Sequence, residues 1–172
     1  MLQFRSYKHW LGYSFNLGKE YEMIKLIATT AFALALAAPT SAQEGLVTTP
    51  SKYSVAETID RLESAVKSAR EVQIFARIDY QAMAATQGGK IRPSQLLIFG
   101  RGGQLPQLLP NKPIVAIDLP PRALAWEDEN GKVWVTYITG DFLKNRYGIQ
   151  GKDDVMKRLT GFTRSLVEKA LE

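Results

Sequence analysis

The sequence predicts an α+β domain: a mostly antiparallel sheet of about five to six strands with two long helices packed on one face. Three observations carry this expectation. Leu96 to Tyr137 holds three apolar runs separated by Gly, Pro and Asn-Gly, the punctuation of successive strands. Two amphipathic segments flank that stretch, and each has one apolar face that needs a surface to cover. Regular strand–helix alternation with parallel crossovers is not seen, which disfavours a doubly wound sheet.

In chain order, Leu46 to Thr49 reads as a short strand closed by Pro50. Ser54-Val55-Ala56-Glu57 follows the capping-box pattern, and Ile59, Leu62, Val66 and Ala69 then recur at helical spacing to about Arg70. Val72, Ile74, Ala76 and Ile78 alternate with Gln73, Phe75, Arg77 and Asp79, the signature of a half-buried strand. Tyr80 to Thr86 is Ala-rich and reads as one or two helical turns ended by Gly88-Gly89.

Leu96 to Phe99 is a continuous apolar run, expected to be a central strand or one covered on both faces. Gln104 to Leu109 reads as a helical turn, and Ile114 to Leu119 as a further strand stopped by Pro120-Pro121. Asn130-Gly131 joins the last two strands as a hairpin. Gly140-Asp141 is expected to cap a short helix that Gly148 stops, and Asp153 or Asp154 to cap the final one. The buried face of that final helix is Val155, Leu159, Phe162, Leu166 and Ala170.

Met23 to Ala42 has the parts of a secretory signal: Lys25, the apolar run Leu26 to Ala37, then Pro39-Thr40-Ser41-Ala42. That run is well short of the ~20 residues that span a bilayer, so cleavage after Ala42 is expected rather than a stable membrane anchor. Residues 1–22 read as an upstream extension, with translation starting at Met23 instead of Met1. Glu20 and Glu22 sit where a leader needs positive charge, and Lys19-Glu20 can be encoded AAGGAG, a ribosome-binding sequence. The expected exported domain is therefore 43–172, periplasmic or secreted.

Cysteine is absent and His9 is the single histidine. An exported domain lacking residues 1–42 has neither, which removes thiol nucleophiles, His-dependent triads and imidazole or thiolate metal sites. Losing four basic and two acidic side chains leaves 18 basic and 15 acidic, a balance of +3 that gives no argument for nucleic acid. No Gly-x-Ser-x-Gly elbow, Ser-x-x-Lys motif or Asp-rich calcium loop is present. No catalytic residue, metal ligand or cofactor is assigned.

Candidate binding residues remain. Gly100-Arg101-Gly102-Gly103 ends a strand, where backbone N–H groups and a guanidinium suit a carboxylate or phosphate, although a tight turn with a solvated Arg is the commoner meaning. Asp118 lies within an apolar run and needs a partner, with Arg146 and Arg101 as candidates and a structural ion pair favoured over catalysis. Trp126, Trp134 and Tyr137 on the hairpin read as cross-strand packing or a dimer contact. The leading expectation is a non-catalytic module for a small ligand or an envelope protein. The alternative is a hydrolase or lyase using Asp118, Arg146 and Tyr137, which requires those three to converge on one open pocket.

Six motifs in order resemble the bacterial family called domain of unknown function 302: Ser-Lys-Tyr-Ser-Val-Ala-Glu-Thr-Ile at 51–59, Phe75-Ala76-Arg77-Ile78-Asp79, and Arg92-Pro93 followed by Leu96-Leu97-Ile98-Phe99-Gly100. Ala116-Ile117-Asp118-Leu119-Pro120, Trp126-Glu127-Asp128 and Arg146-Tyr147-Gly148-Ile149 complete the set. The resemblance implies a compact α+β fold, often a homodimer, and brings no activity with it. Tyr80 stands where members often carry His, and Arg101-Gly102 where they often carry Asn-Pro. A family ligand site at those positions would have altered chemistry here.

Overall fold

Five strands, β1 (Leu46–Ser51), β2 (Gln73–Asp79), β3 (Ser94–Gly100), β4 (Arg122–Glu127) and β5 (Val133–Ile138), form one sheet in the order β1-β5-β4-β3-β2. Every neighbouring pair is antiparallel. The computed structural model describes residues 45–172. The expected extension 1–22, the expected signal 23–42 and His9 lie outside the described residues. Ser41–Glu172 is a compact unit whose two apolar clusters are both drawn from the described residues, so it closes its own core.

Helices α1 (Val55–Ser68) and α5 (Asp153–Leu171) share the first cluster with Leu97, Phe99, Ala123, Ala125, Val135 and Tyr137, residues of one parity on β3, β4 and β5. Both long helices therefore lie on the same face, as the sequence predicts. Full burial of a side chain such as Phe99 or Ile59 stabilises by about 1.5–3 kcal/mol. Ser54 starts α1 by accepting the Glu57 N–H at 3.2 Å. At the far end of α5, Arg61 donates to the Ala170 carbonyl at 2.7 Å and Lys52 to that of Glu172 at 2.5 Å, cations placed at the negative pole of the helix. The β4–β5 hairpin turns where Asp128 accepts the N–H groups of Asn130 and Lys132, both at 2.9 Å, with Gly131 at φ +77°.

The second cluster fills one end of the molecule. It packs Leu108 of α3 (Leu105–Leu108), Val115 of a 3₁₀ helix (Pro113–Asp118), Leu143 of α4 (Gly140–Tyr147) and Val155, Met156 and Leu159 of α5. The seven-residue α2 (Tyr80–Thr86) has no buried residue.

Several local expectations are corrected. Ile114 to Leu119 is not a strand. β4 already has β3 and β5 on its two sides, Pro113 presets a helical first turn, and i→i+3 bonds run from Val115 N–H to Lys112 and from Leu119 N–H to Ala116. β1 continues through Pro50 to Ser51, because an edge strand tolerates a residue without an N–H. α1 ends at Ser68, with Ala69 as its cap. Thr139, not Gly140-Asp141, caps α4, accepting the Phe142 N–H at 3.2 Å. Lys152 precedes α5 without a side-chain cap, and Asp153 and Asp154 fall in its first turn, where carboxylates suit the helix dipole. Alternation in β2 breaks at a bulge between Ile74 and Ala76. Ile74 pairs with Phe99 on the helix side, but so does Arg77 with Leu97, which leaves Ala76 and Ile78 on the opposite face.

Candidate functional site

A small apolar cleft opens at the end of β3. Its walls are Phe75 at the β2 bulge, Gly100 to Gly102, Leu105 and Leu108 of α3, Leu119 to Pro121, and Leu159 of α5. The volume is about 40 Å³, room for the tip of one side chain or one small group and far below the few hundred Å³ that hold a metabolite. Gly100 sits in close approach: a Cβ there would lie 3.2 Å from Pro121 and 3.3 Å from Pro120, tighter than ordinary contact. Gly102 and Gly103 face open space. At the mouth, Arg101 lays its guanidinium 4.5 Å above the Phe162 ring, and among the described residues it has no carboxylate partner.

Asp118 ends the 3₁₀ helix directly before the cleft wall Leu119-Pro120-Pro121. Its carboxylate accepts the Tyr147 hydroxyl at 2.5 Å and pairs with Arg146 Nε at 3.3 Å and Arg122 Nη2 at 3.4 Å. Arg122 also donates to the Ile117 carbonyl at 3.0 Å. The hydrogen bond to Asp118, followed by burial, raises the Tyr147 phenol above its ordinary range, because ionisation would place two anions in contact. Two arginines and a phenol on one carboxylate make a clamp that ties α4 to the 3₁₀ helix and fixes the cleft wall. The expected ion pair with Arg146 is present, while Arg101 goes elsewhere.

Tyr137 does not join them. It is 3% exposed in the core between the sheet and the long helices, because β5 directs Val133, Val135 and Tyr137 inward together. The convergence of Asp118, Arg146 and Tyr137 that a hydrolase or lyase requires is not found. Tyr147 occupies the place expected for Tyr137, since α4 returns it over the 3₁₀ helix. Spacing does not distinguish these two tyrosines, but the neighbouring basic residue does: Arg146-Tyr147 arrives as a unit on a helix end.

Sequence reasoning also missed a second, wetter cleft of about 310 Å³ lined by Gln107, Leu108, Asn111, Lys112, Gly148, Ile149, Gln150 and Lys152. Leu108 separates it from the first. Two lysines and three side-chain amides give it a lining suited to a polar or anionic guest. Its one sequence signal is the pair of left-handed glycines, Gly148 at φ +59° and Gly151 at φ +66°, which turn the chain around its rim.

The crystal structure of an uncharacterized conserved protein DUF302 from Bacillus stearothermophilus superposes with a TM-score of 0.65 at 14% identity, covering 74% of this chain and 98% of that one, a likeness of fold. A protein named fluoride-specific ion channel FluC 1 from Brucella suis biovar 1 is 41% identical over 111 residues, 64% of this chain and 43% of that protein. The FluC 1 of Brucella abortus biovar 1 is likewise 41% identical over 111 residues, 64% of this chain and 41% of its own length. The chain thus spans about two fifths of the length of these curated relatives. Residues 47–166 match the family described as domain of unknown function DUF302, and the chain belongs to that family.

Proposed function

We propose that residues 43–172 are an exported, homodimeric, non-catalytic module of the bacterial envelope that holds an anionic group of a small ligand or partner protein at the mouth of the β3 cleft. The observation that carries this reading is Arg101. Its guanidinium rests on Phe162 beside open-backbone Gly102 and Gly103, at an apolar cleft, with no carboxylate partner among the described residues. Such a cation is available to an incoming anion. Asp118, the carboxylate nearest the cleft wall, is engaged by Arg122, Arg146 and Tyr147 and is poorly placed to move protons.

The secretory character of Met23 to Ala42 supports export. The resemblance to part of two proteins named as fluoride-specific ion channels favours a membrane protein of the envelope as the partner. Thermal-shift screening of the full chain against small carboxylates and phosphates tests the site. A stabilising ligand whose effect disappears in Arg101→Ala fits the reading, whereas an unchanged response in that variant, or turnover of a screened compound, refutes it. N-terminal sequencing of envelope-fraction protein tests export, with Gln43 expected as the first residue.

A further inference from the structure

The face of the sheet opposite α1 and α5 carries Ile78, Leu96, Ile98, Leu124, Trp126 and Trp134 in adjoining register positions. All six are half-buried and none belongs to either core cluster. An antiparallel sheet with one wet face ordinarily alternates apolar inward and polar outward. Here β3 is apolar on both sides, yet the long helices cover one.

The indole and threonine groups on this face are bonded within the chain. Trp126 Nε1 donates to the Thr136 hydroxyl at 2.9 Å, that hydroxyl bonds Thr48 at 2.9 Å, and Trp134 Nε1 donates to Asp128 at 2.8 Å. Arg122, a charged residue at one end, is held by Asp118. Covering the face would therefore strip water from apolar carbon without orphaning these donors.

We infer that the occupant is a second copy of this chain, packed sheet to sheet about a two-fold axis. The inference rests on the homodimer in the reading above and assigns its interface. Area favours this occupant: five strands about 4.8 Å apart, each of six or seven residues at about 3.3 Å, span roughly 24 by 20 Å. Pairing two such faces covers on the order of 1,000 Å² before side-chain relief is counted, which reaches the lower bound for a specific interface. Charge allows it, because the cations of this face sit at its two ends, Arg122 neutralised by Asp118 and Lys132 lying 4.0 Å above the Trp134 ring, and leave the apolar centre free to meet its own image.

The compact unit 41–172 carries its own test, because Trp10 lies outside it and Trp126 and Trp134 are then its only indoles. Sedimentation over a dilution series should show a dimer–monomer equilibrium, with indole emission moving to the red at the same midpoint. Leu124→Glu, with circular dichroism confirming its fold, should raise the dissociation constant by roughly 30-fold or more, the effect of losing an interface hot spot. A dimer whose emission ignores dissociation, or one that survives Leu124→Glu, overturns the assignment while leaving the homodimer standing. A unit that stays monomeric at all concentrations overturns both, and anion binding at Arg101 is then judged on its own variant. Indoles that shift to the blue on lipid vesicles in a monomeric unit would give the face to a membrane and also overturn the inference.

Discussion

Tyr147 donates its phenol proton to Asp118 across 2.5 Å, joining the last turn of α4 to the last turn of the 3₁₀ helix. The bond holds together two short elements that bury only Leu143, Gly140 and Val115 between them, so it matters more here than on a long helix.

Asp118→Asn should therefore destabilise the domain by about 1 kcal/mol, since the arginines it engages are partly exposed and water takes up much of their loss. Urea denaturation measures this. The phenol adds a pH signature. Its folded pKa is raised, so its contribution is complete below the ordinary tyrosine value of about 10 and is lost as pH rises through the higher folded value. Tyr147→Phe should remove that alkaline decline, and a melting-temperature series from neutral to strongly alkaline pH would show whether it does.

At low pH Glu63 is one of three depressed carboxyls among the described residues, with Asp128 and Asp153. Its hydrogen bond from Lys67 at 2.6 Å, supported by Arg77 at 3.2 Å, lowers its carboxyl below the usual range. A depressed carboxylate stabilises above its unfolded pKa of about 4.3 and ceases to as pH falls through the folded value. Lys67→Met should lower stability modestly at neutral pH and leave it nearly unchanged at low pH, so the acid limb becomes shallower. An equally steep acid limb in the variant would refute the assignment.

Two helical glycines should respond in opposite directions. A Cβ on Gly140 would lie 2.3 Å from the Met156 carbonyl oxygen, and backbone cannot step aside, so Gly140→Ala should cost about 3 kcal/mol or more by forcing α4 from α5. Gly161, inside α5, meets nothing within 4 Å, and Gly161→Ala should stabilise by about 0.5–1 kcal/mol through helix propensity. Chemical denaturation of the pair checks both signs.

Thr139→Ala should cost about 1–2 kcal/mol. Its hydroxyl caps Phe142 N–H at 3.2 Å and donates to the Gly45 carbonyl at 3.0 Å, and the site is buried. Thr139→Ser should recover most of the loss. Failure of serine to rescue would assign the effect to the methyl group's packing instead.

The elements legible in the sequence are those whose signal is local and repeated. Ile59, Leu62 and Val66 define the inner stripe of α1 whatever lies beneath, and Asn130-Gly131 turns the hairpin by its own backbone preference. Ile114 to Asp118 was not legible, because a short apolar run flanked by prolines fits a strand or a 3₁₀ helix equally, and only the occupied sides of β4 decide. The same holds for the candidate site. Asp118 and Arg146 are recognisable as a charge pair from their types, but which tyrosine completes the group depends on how α4 folds back. Arg101 was placed correctly at a strand end, whereas its partner Phe162, 61 positions later, follows from the docking of α5.

The extra residue in β2 has a consequence for how the strand divides its duties. Upstream of Phe75 the strand feeds grease to the interior through Ile74; downstream it presents Arg77 to Asp60, Glu63 and Gln95, a ring of polar bonds beneath α1. Excising Phe75 would close the bulge and leave Ala76, Arg77 and Ile78 opposite Ile98, Leu97 and Leu96 in unbroken alternation, so the guanidinium would stay beneath α1. The extra residue thus serves the cleft it lines, and a single-codon deletion at this point would remove a wall of that cleft while sparing the ion pairs of Arg77 with Asp60 and Glu63.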